Sequence, residues 1–217
     1  MIRLENVSKA FKTKGGRKVI LSGQTYEFSP GYSYGLLGVN GAGKSTTMRI
    51  LAGSELPDSG RVHRKRRISW PLGFAAGFNM TMSGRENLKF VARAYGEDWR
   101  RVFNFVADFA EIGDYMNSPL SEYSSGMLSR FAFGLSMAIE FECYLVDEIT
   151  SVGDQRFQQR CREAFTQRRA VADIIMISHD MGTIEQYCDR GALLVDGKLM
   201  HFDTVEGAVS AYYRLNR

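Results

Sequence analysis

The chain has 217 residues, 44% of them hydrophobic and 24% charged, which is the composition of an ordinary folded protein long enough for one large domain or two small ones. No apolar run approaches the roughly 18–20 residues of a membrane span, and the opening stretch MIRLENVSKAF has no signal-peptide core, so a cytoplasmic chain is expected. The net charge of +4 and pI near 9.0 admit an anionic partner without choosing one. Cys143, Cys161 and Cys188 are odd in number and lack metal-type spacing, which points to free thiols in a reducing compartment.

In chain order, β-type runs are expected at 2–7, 19–28 and 33–38, then a helix over 44–52. The basic cluster HRKRR, His63 to Arg67, follows the turn signal PDSGRV and is expected on an exposed hairpin as a solvated face. No zinc-finger, RNA-recognition or basic-zipper pattern accompanies it, so no nucleic-acid partner is expected. Residues 82–135 read as a helical insert. Ser83 and Glu86 form a capping box ahead of Leu88, Val91 and Ala92, and Val102, Phe105, Val106 and Phe109 share one face of a second helix, with Phe103 off it. Further strands are expected at 144–147, 174–178 and 192–196, with helices over 154–170 and 181–188. Alternation of this kind predicts an α/β core with a largely parallel sheet, and the strand-rich start predicts a smaller antiparallel sheet joined to it.

The stretch SEYSSGMLSR at 121–130 admits two readings. Ser124 or Ser125 can be a plain helix N-cap, or the same helix start can hold an anion through its unpaired N–H groups.

Three motifs carry chemistry. GVNGAGKST at 38–46 satisfies G-x-x-x-x-G-K-[ST] through Gly38, Gly43, Lys44 and Ser45, with Asn40, Gly41 and Thr46 in the same loop. A strand precedes it and a helix follows. Glycines let successive amides face a polyphosphate, Lys44 adds charge, and the Ser45 hydroxyl suits Mg²⁺. CYLVDEIT is an apolar strand ending in Asp147, placed for the metal, and Glu148, placed to polarise a water. The alternative is a plain helix-entry pair. ISHD puts His179 just past another strand, where a structural histidine is the competing reading.

In order, GVNGAGKST, YSSGM, YLVDE, SVGD and ISHD resemble the motifs of the ATP-binding cassette (ABC) ATPases. The resemblance implies a RecA-like P-loop NTPase core with an N-terminal antiparallel β subdomain and an inserted α-helical subdomain. It makes 1–217 a single nucleotide-binding domain, with about 1–81 and 136–217 as core and about 82–135 as signature subdomain. It further implies ATP and Mg²⁺ as ligands, a homodimer sandwiching two ATP molecules, and membrane permease subunits as partners. Phe11 matches the adenine-stacking aromatic, Asp154 the inter-subunit aspartate, and His179 the γ-phosphate switch. Ser124 and Gly126 match the residues that approach ATP held by the other subunit. Tyr123, Ser125 and Met127 depart from the usual LSGGQ signature. Asn79 stands where the family places a glutamine that contacts Mg²⁺ and senses the permease.

SWPLGFAAGF, SGRENLKFVARAYG, YSSGMLSRFAFGLSMA and DEITSVGD resemble the capsular polysaccharide exporters, with O-antigen and teichoic acid exporters as near relatives. The chain ends at SAYYRLNR without the added carbohydrate-binding domain of many O-antigen ATPases, which favours the capsule type. The glycan is then expected to touch mainly the permease, with the subunit peripheral on the cytoplasmic face of the bacterial inner membrane. The competing class is a soluble ABC ATPase acting on nucleic acid or ribosomes.

Overall fold

A strand-helix alternation needs both faces of its sheet covered, and the apolar runs of this chain are disposed to do that. The computed structural model describes residues 1–13, 15–72, 77–147 and 154–215. It divides into two compact units, one of Met1–Pro71, Phe141–Glu148 and Val171–Arg217, the other of Leu72–Glu140 and Ile149–Ala170.

The first unit holds two sheets. Antiparallel strands β1 (Ile2–Thr13), β2 (Gly16–Phe28) and β4 (Ser59–Arg64) lie in the order β2-β1-β4. The second sheet is mainly parallel: β3 (Tyr34–Leu37), β5 (Ile68–Pro71), β6 (Cys143–Asp147), β7 (Asp173–Ile177) and β8 (Arg190–Val195), with β9 (Lys198–Phe202) antiparallel at one edge, in the order β5-β6-β7-β3-β8-β9. β3, β6 and β7 are short and almost wholly buried, as expected of strands covered on both faces. One core joins both sheets and helix α1 (Lys44–Ala52): Leu4, Val7, Ile20 and Phe28 meet Leu36, Met48, Leu51, Leu145 and Ile175. Each such side chain is worth about 1.5–3 kcal/mol of burial. Helices α6 (Met181–Tyr187) and α7 (Val205–Leu215) complete the unit.

The basic cluster is not a hairpin. β4 pairs with β1, and the next strand joins the other sheet beside β6. His63 meets Glu5 at 2.8 Å, Arg66 bridges Asp173, and Arg64 donates to the carbonyls of Leu51 (2.7 Å) and Ile50 (2.5 Å). Arg64 therefore satisfies the Leu51 carbonyl at the C-terminus of α1 and shares that of Ile50 with the Gly53 N–H.

The second unit is helical: α2 (Gly84–Ala94), α3 (Trp99–Ala110), α4 (Ser125–Ala138) and α5 (Gln155–Arg169), with 3-10 turns at Gly113–Asn117 and Leu120–Glu122. Every helix start carries a side-chain cap: Ser83 with Glu86 as a reciprocal box, Asp98, Ser124 and Asp154. Val102, Val106 and Phe109 turn inward as the periodicity predicts, whereas Phe105 stays 36% exposed while stacking on Phe109 at 5.6 Å. Phe103, off the apolar face, lies beneath the Arg85 guanidinium.

Candidate functional site

The phosphate-type loop leaves the C-terminal end of β3 and turns into α1, the edge of a parallel sheet where ligands gather. Gly43 caps α1 with φ 108, and a Cβ there would stand 2.5 Å from Ile20. A side chain is excluded on both counts, so β2 presses directly on the loop backbone. The Lys44 ammonium donates to the carbonyls of Gly38 (2.6 Å) and Val39 (3.2 Å), which holds it in the mouth of the loop. Thr47 Oγ1 donates to the Gly43 carbonyl at 3.0 Å, and the Arg49 guanidinium donates to Thr46 Oγ1 at 3.2 Å.

A cleft of about 590 Å³ opens over this loop, lined by Phe11, Lys18, Ile20, Asn40, Gly41, Gly43, Lys44, Ser45, Thr46, Asp147, Ile177 and His179. The volume suits a small organic ligand. Of the expected residues, Phe11, Asn40, Gly41, Gly43, Lys44, Ser45, Thr46, Asp147 and His179 thus share one cavity, and Gly38 lies behind the loop beside Leu194. The β6–β7 register pairs Asp147 with Ile177, two residues before His179, so both strand ends deliver a polar group to the same rim. Lys18 was missed because the strand was expected to begin at residue 19, and Ile20 because it reads as an ordinary apolar strand position; both line the cleft. Glu148 lies outside the described residues, as do 151–153 of the SVGD stretch.

The other expected residues belong to the helical unit. Asn79 is exposed, and its Oδ1 accepts from both the N–H (3.0 Å) and the hydroxyl (2.8 Å) of Thr81, closing an Asx turn. Buried Asn87 clamps that turn. Its Oδ1 accepts from the Asn79 N–H at 2.8 Å, and its Nδ2 donates to the carbonyls of Asn79, Met82 and Ser83. An asparagine four residues after a capping serine, beside apolar Leu88, was the available signal for it.

Ser124 caps α4, its Oγ accepting from the Met127 N–H at 3.2 Å, so the N-cap of the two candidates is Ser124 and not Ser125. The first-turn amides of Ser125 and Gly126 have no intrahelical acceptor. Tyr123 is 9% exposed, and its hydroxyl donates to the Tyr115 carbonyl at 2.8 Å. Asp154 caps α5 by accepting from the Phe157 N–H and also from Arg130, each at 2.9 Å. The Phe157 amide, aided by Arg130, holds this carboxyl below the usual aspartate range.

A family model described as ABC transporter matches residues 21–151. The polysialic acid transport ATP-binding protein KpsT of Escherichia coli is 43% identical over 215 residues, covering 98% of this chain and 98% of its own. The capsule polysaccharide export ATP-binding protein CtrD of Neisseria meningitidis serogroup B is 40% identical over 215 residues, covering 99% of this chain and all of its own (100%). Among solved structures, a dimeric post-hydrolysis ATP-binding cassette with ADP and Pi bound superposes with a TM-score of 0.75 at 18% identity, covering 94% of this chain and 99% of that one. That last likeness speaks for the fold, which is the RecA-like core, antiparallel β subdomain and helical insert expected above. With the family model matching more than half of the chain and two relatives matching from end to end, the chain belongs to the ABC transporter family, among its ATP-binding subunits.

Proposed function

We propose that this chain is the ATP-hydrolysing subunit of an exporter of capsular polysaccharide. It works as an ATP-dependent homodimer under a membrane permease, on the cytoplasmic face of the bacterial inner membrane. The observation that carries the reading is the single cleft where Phe11, the Lys44 loop, Asp147 and His179 meet. The roles that KpsT and CtrD are named for, matched over nearly full length, support the cargo. Among the described residues no helix is long and apolar enough to cross a membrane. In this reading a separate permease carries the glycan path and makes most of the glycan contacts.

The residues fit the ligands. The loop amides and Lys44 meet the β- and γ-phosphates of ATP, and Phe11 stacks on adenine. Ser45 and Asp147 would hold Mg²⁺, which needs few protein oxygens because it takes the rest from phosphate and water. When bound, the ion neutralises charge between the phosphates. Asn79 joins that set only if Thr81 releases its Oδ1, or through a water. Glu148 orients the attacking water, and His179 meets the γ-phosphate. Ser124 and Gly126 cap the partner subunit's nucleotide, with Asp154 at the contact between subunits.

Glu148→Gln, expressed with the permease, is expected to keep ATP binding, lose hydrolysis by about 100-fold or more, and leave the capsular glycan inside the cell. Undiminished hydrolysis overturns the assignment of Glu148. Normal surface glycan overturns the cargo.

A further inference from the structure

A second lysine is aimed at the phosphate loop, and no motif names it. In the β1–β2 ladder Phe11 stands directly opposite Lys18. Opposed residues share a sheet face, their Cβ atoms about 5 Å apart. Two positions on, Ile20 shares that face and packs against Gly43. β2 thus lies over the loop as a lid edge, Ile20 pressing on its helix end and Lys18 reaching its tip. The Lys18 ammonium stands 3.3 Å from where a Cβ on Gly41 would be, and it lines the same cleft as Phe11 and Lys44.

The other lysines near the cleft are held by the protein. Lys44 donates to Gly38 and Val39, and Lys9 pairs with Glu55 at 2.5 Å and Asp58 at 3.4 Å. Lys18 has no carboxylate partner among the described residues, and the backbone it faces is itself electropositive, being a loop of glycine amides leading into a helix N-terminus. Two sources of positive charge aimed at one space match a multiply charged anion that both can share. An exposed lysine on a hairpin is ordinarily just solvated. What sets this one apart is its register beside the ring expected to stack on adenine and its reach to the loop tip.

Resting on the reading of this cleft as the nucleotide site, we infer that Lys18 binds the polyphosphate of the nucleotide from the side opposite Lys44. It thereby makes the site select nucleoside di- and triphosphates over monophosphates.

The test is equilibrium titration of the purified chain with fluorescently labelled ATP, ADP and AMP. Lys18→Ala is expected to weaken ATP and ADP about 10-fold, the size of one partly solvated charge-assisted contact, and AMP less than about 3-fold. Lys18→Arg restores most of the loss, and Lys18→Ala flattens the salt dependence of ATP binding. Wild-type ATP affinity in Lys18→Ala overturns the inference, and so does an equal loss for AMP and ATP. Lys44→Ala runs beside it. If Lys44→Ala loses ATP while Lys18→Ala does not, only the role of Lys18 falls. If Lys44→Ala binds ATP normally, the nucleotide reading of the cleft falls with it.

Discussion

At Phe11 the ring proposed to stack on adenine is held beside a fixed cation. Lys9 holds its ammonium 5.1 Å from the ring centroid and is fixed there by Glu55, Asp58 and the Leu56 carbonyl, while the ring stays 36% exposed at the cleft. The Glu55 hydrogen bond leads in raising the Lys9 pKa, so the cation beside the ring is a permanent one. Stacking of a base on such a ring is worth about 1–3 kcal/mol. Phe11→Ala is therefore expected to weaken ATP, ADP and AMP alike, by about 10-fold, and Phe11→Trp to recover it, both read by the same titration. Adenine is common to all three nucleotides, so this uniform loss separates Phe11 from Lys18, whose loss follows the phosphate count. An unchanged AMP affinity in Phe11→Ala would leave the residue as an ordinary half-buried sheet position. At this scale the loop was readable because Gly43 and Lys44 are demanded locally, by backbone shape and by charge. Lys18 was not, because its meaning comes from a cross-strand register that no local pattern encodes.

Elements were legible where their caps and apolar periods agree. α1 runs over 44–52 as expected, and α5 falls within one residue of the expected bounds at each end, with Asp154 as its cap. β4 and β9 were not seen: SGRVHR and KLMHF are polar strands that lie at the edges of their sheets, so burial leaves little alternation to read. β1 runs on to Thr13 because pairing with β2, not hydrophobicity, sustains its second half. The segment before α4 shows a tertiary constraint of the same kind. Ser83 bridges Pro119, and the N–H groups of Leu120 and Ser121 donate to the carbonyls of Met82 and Met80, so the Asn79 turn and the residues entering the signature form one bonded strip. Tyr123, where the family usually has leucine, closes it. Its ring packs edge-on against Phe131, and burial pushes its phenol up to about 12, so it stays a donor to Tyr115 across the working pH range. Gly84 leaves room for that hydroxyl, since a Cβ there would stand 2.2 Å from it. Gly84→Ala is expected to cost about 2 kcal/mol by overpacking, and Tyr123→Phe about 1 kcal/mol through the lost hydrogen bond. Because the hydroxyl is the clashing atom, the double variant should be no less stable than Tyr123→Phe by more than about 0.5 kcal/mol. Chemical denaturation of the four proteins reads this. Simple additivity would show that the two residues do not meet.

For the whole molecule, the α4 start bears on the proposed dimer. Ser124 spends its oxygen on the Met127 amide, and the Ser125 and Gly126 amides are left for an outside acceptor at the positive end of a helix of 14 residues. Cap and anion site are therefore compatible, and they occupy different donors. The competing reading, a cap and nothing more, predicts that any cap-removing change acts only through stability, by about 1 kcal/mol. Ser124→Ala and Ser124→Arg remove the same cap, but only arginine adds bulk and charge where the partner's triphosphate is proposed to sit. In a Glu148→Gln background, both variants are expected to bind labelled ATP within about 2-fold of the parent, since the proposed contact is with the other subunit's nucleotide and its share of single-chain affinity is near zero. Ser124→Ala should still form an ATP-dependent dimer on size exclusion, weakened by about 10-fold at most, the equivalent of one hydrogen bond. Ser124→Arg should form none at any ATP concentration that saturates the monomer. Equal dimerisation by the two would reduce Ser124 to a helix cap and remove the nucleotide sandwich from the mechanism. An arginine variant that fails to bind ATP at all would show that this helix start serves its own chain's nucleotide, which overturns the exchange between subunits while leaving the cleft intact.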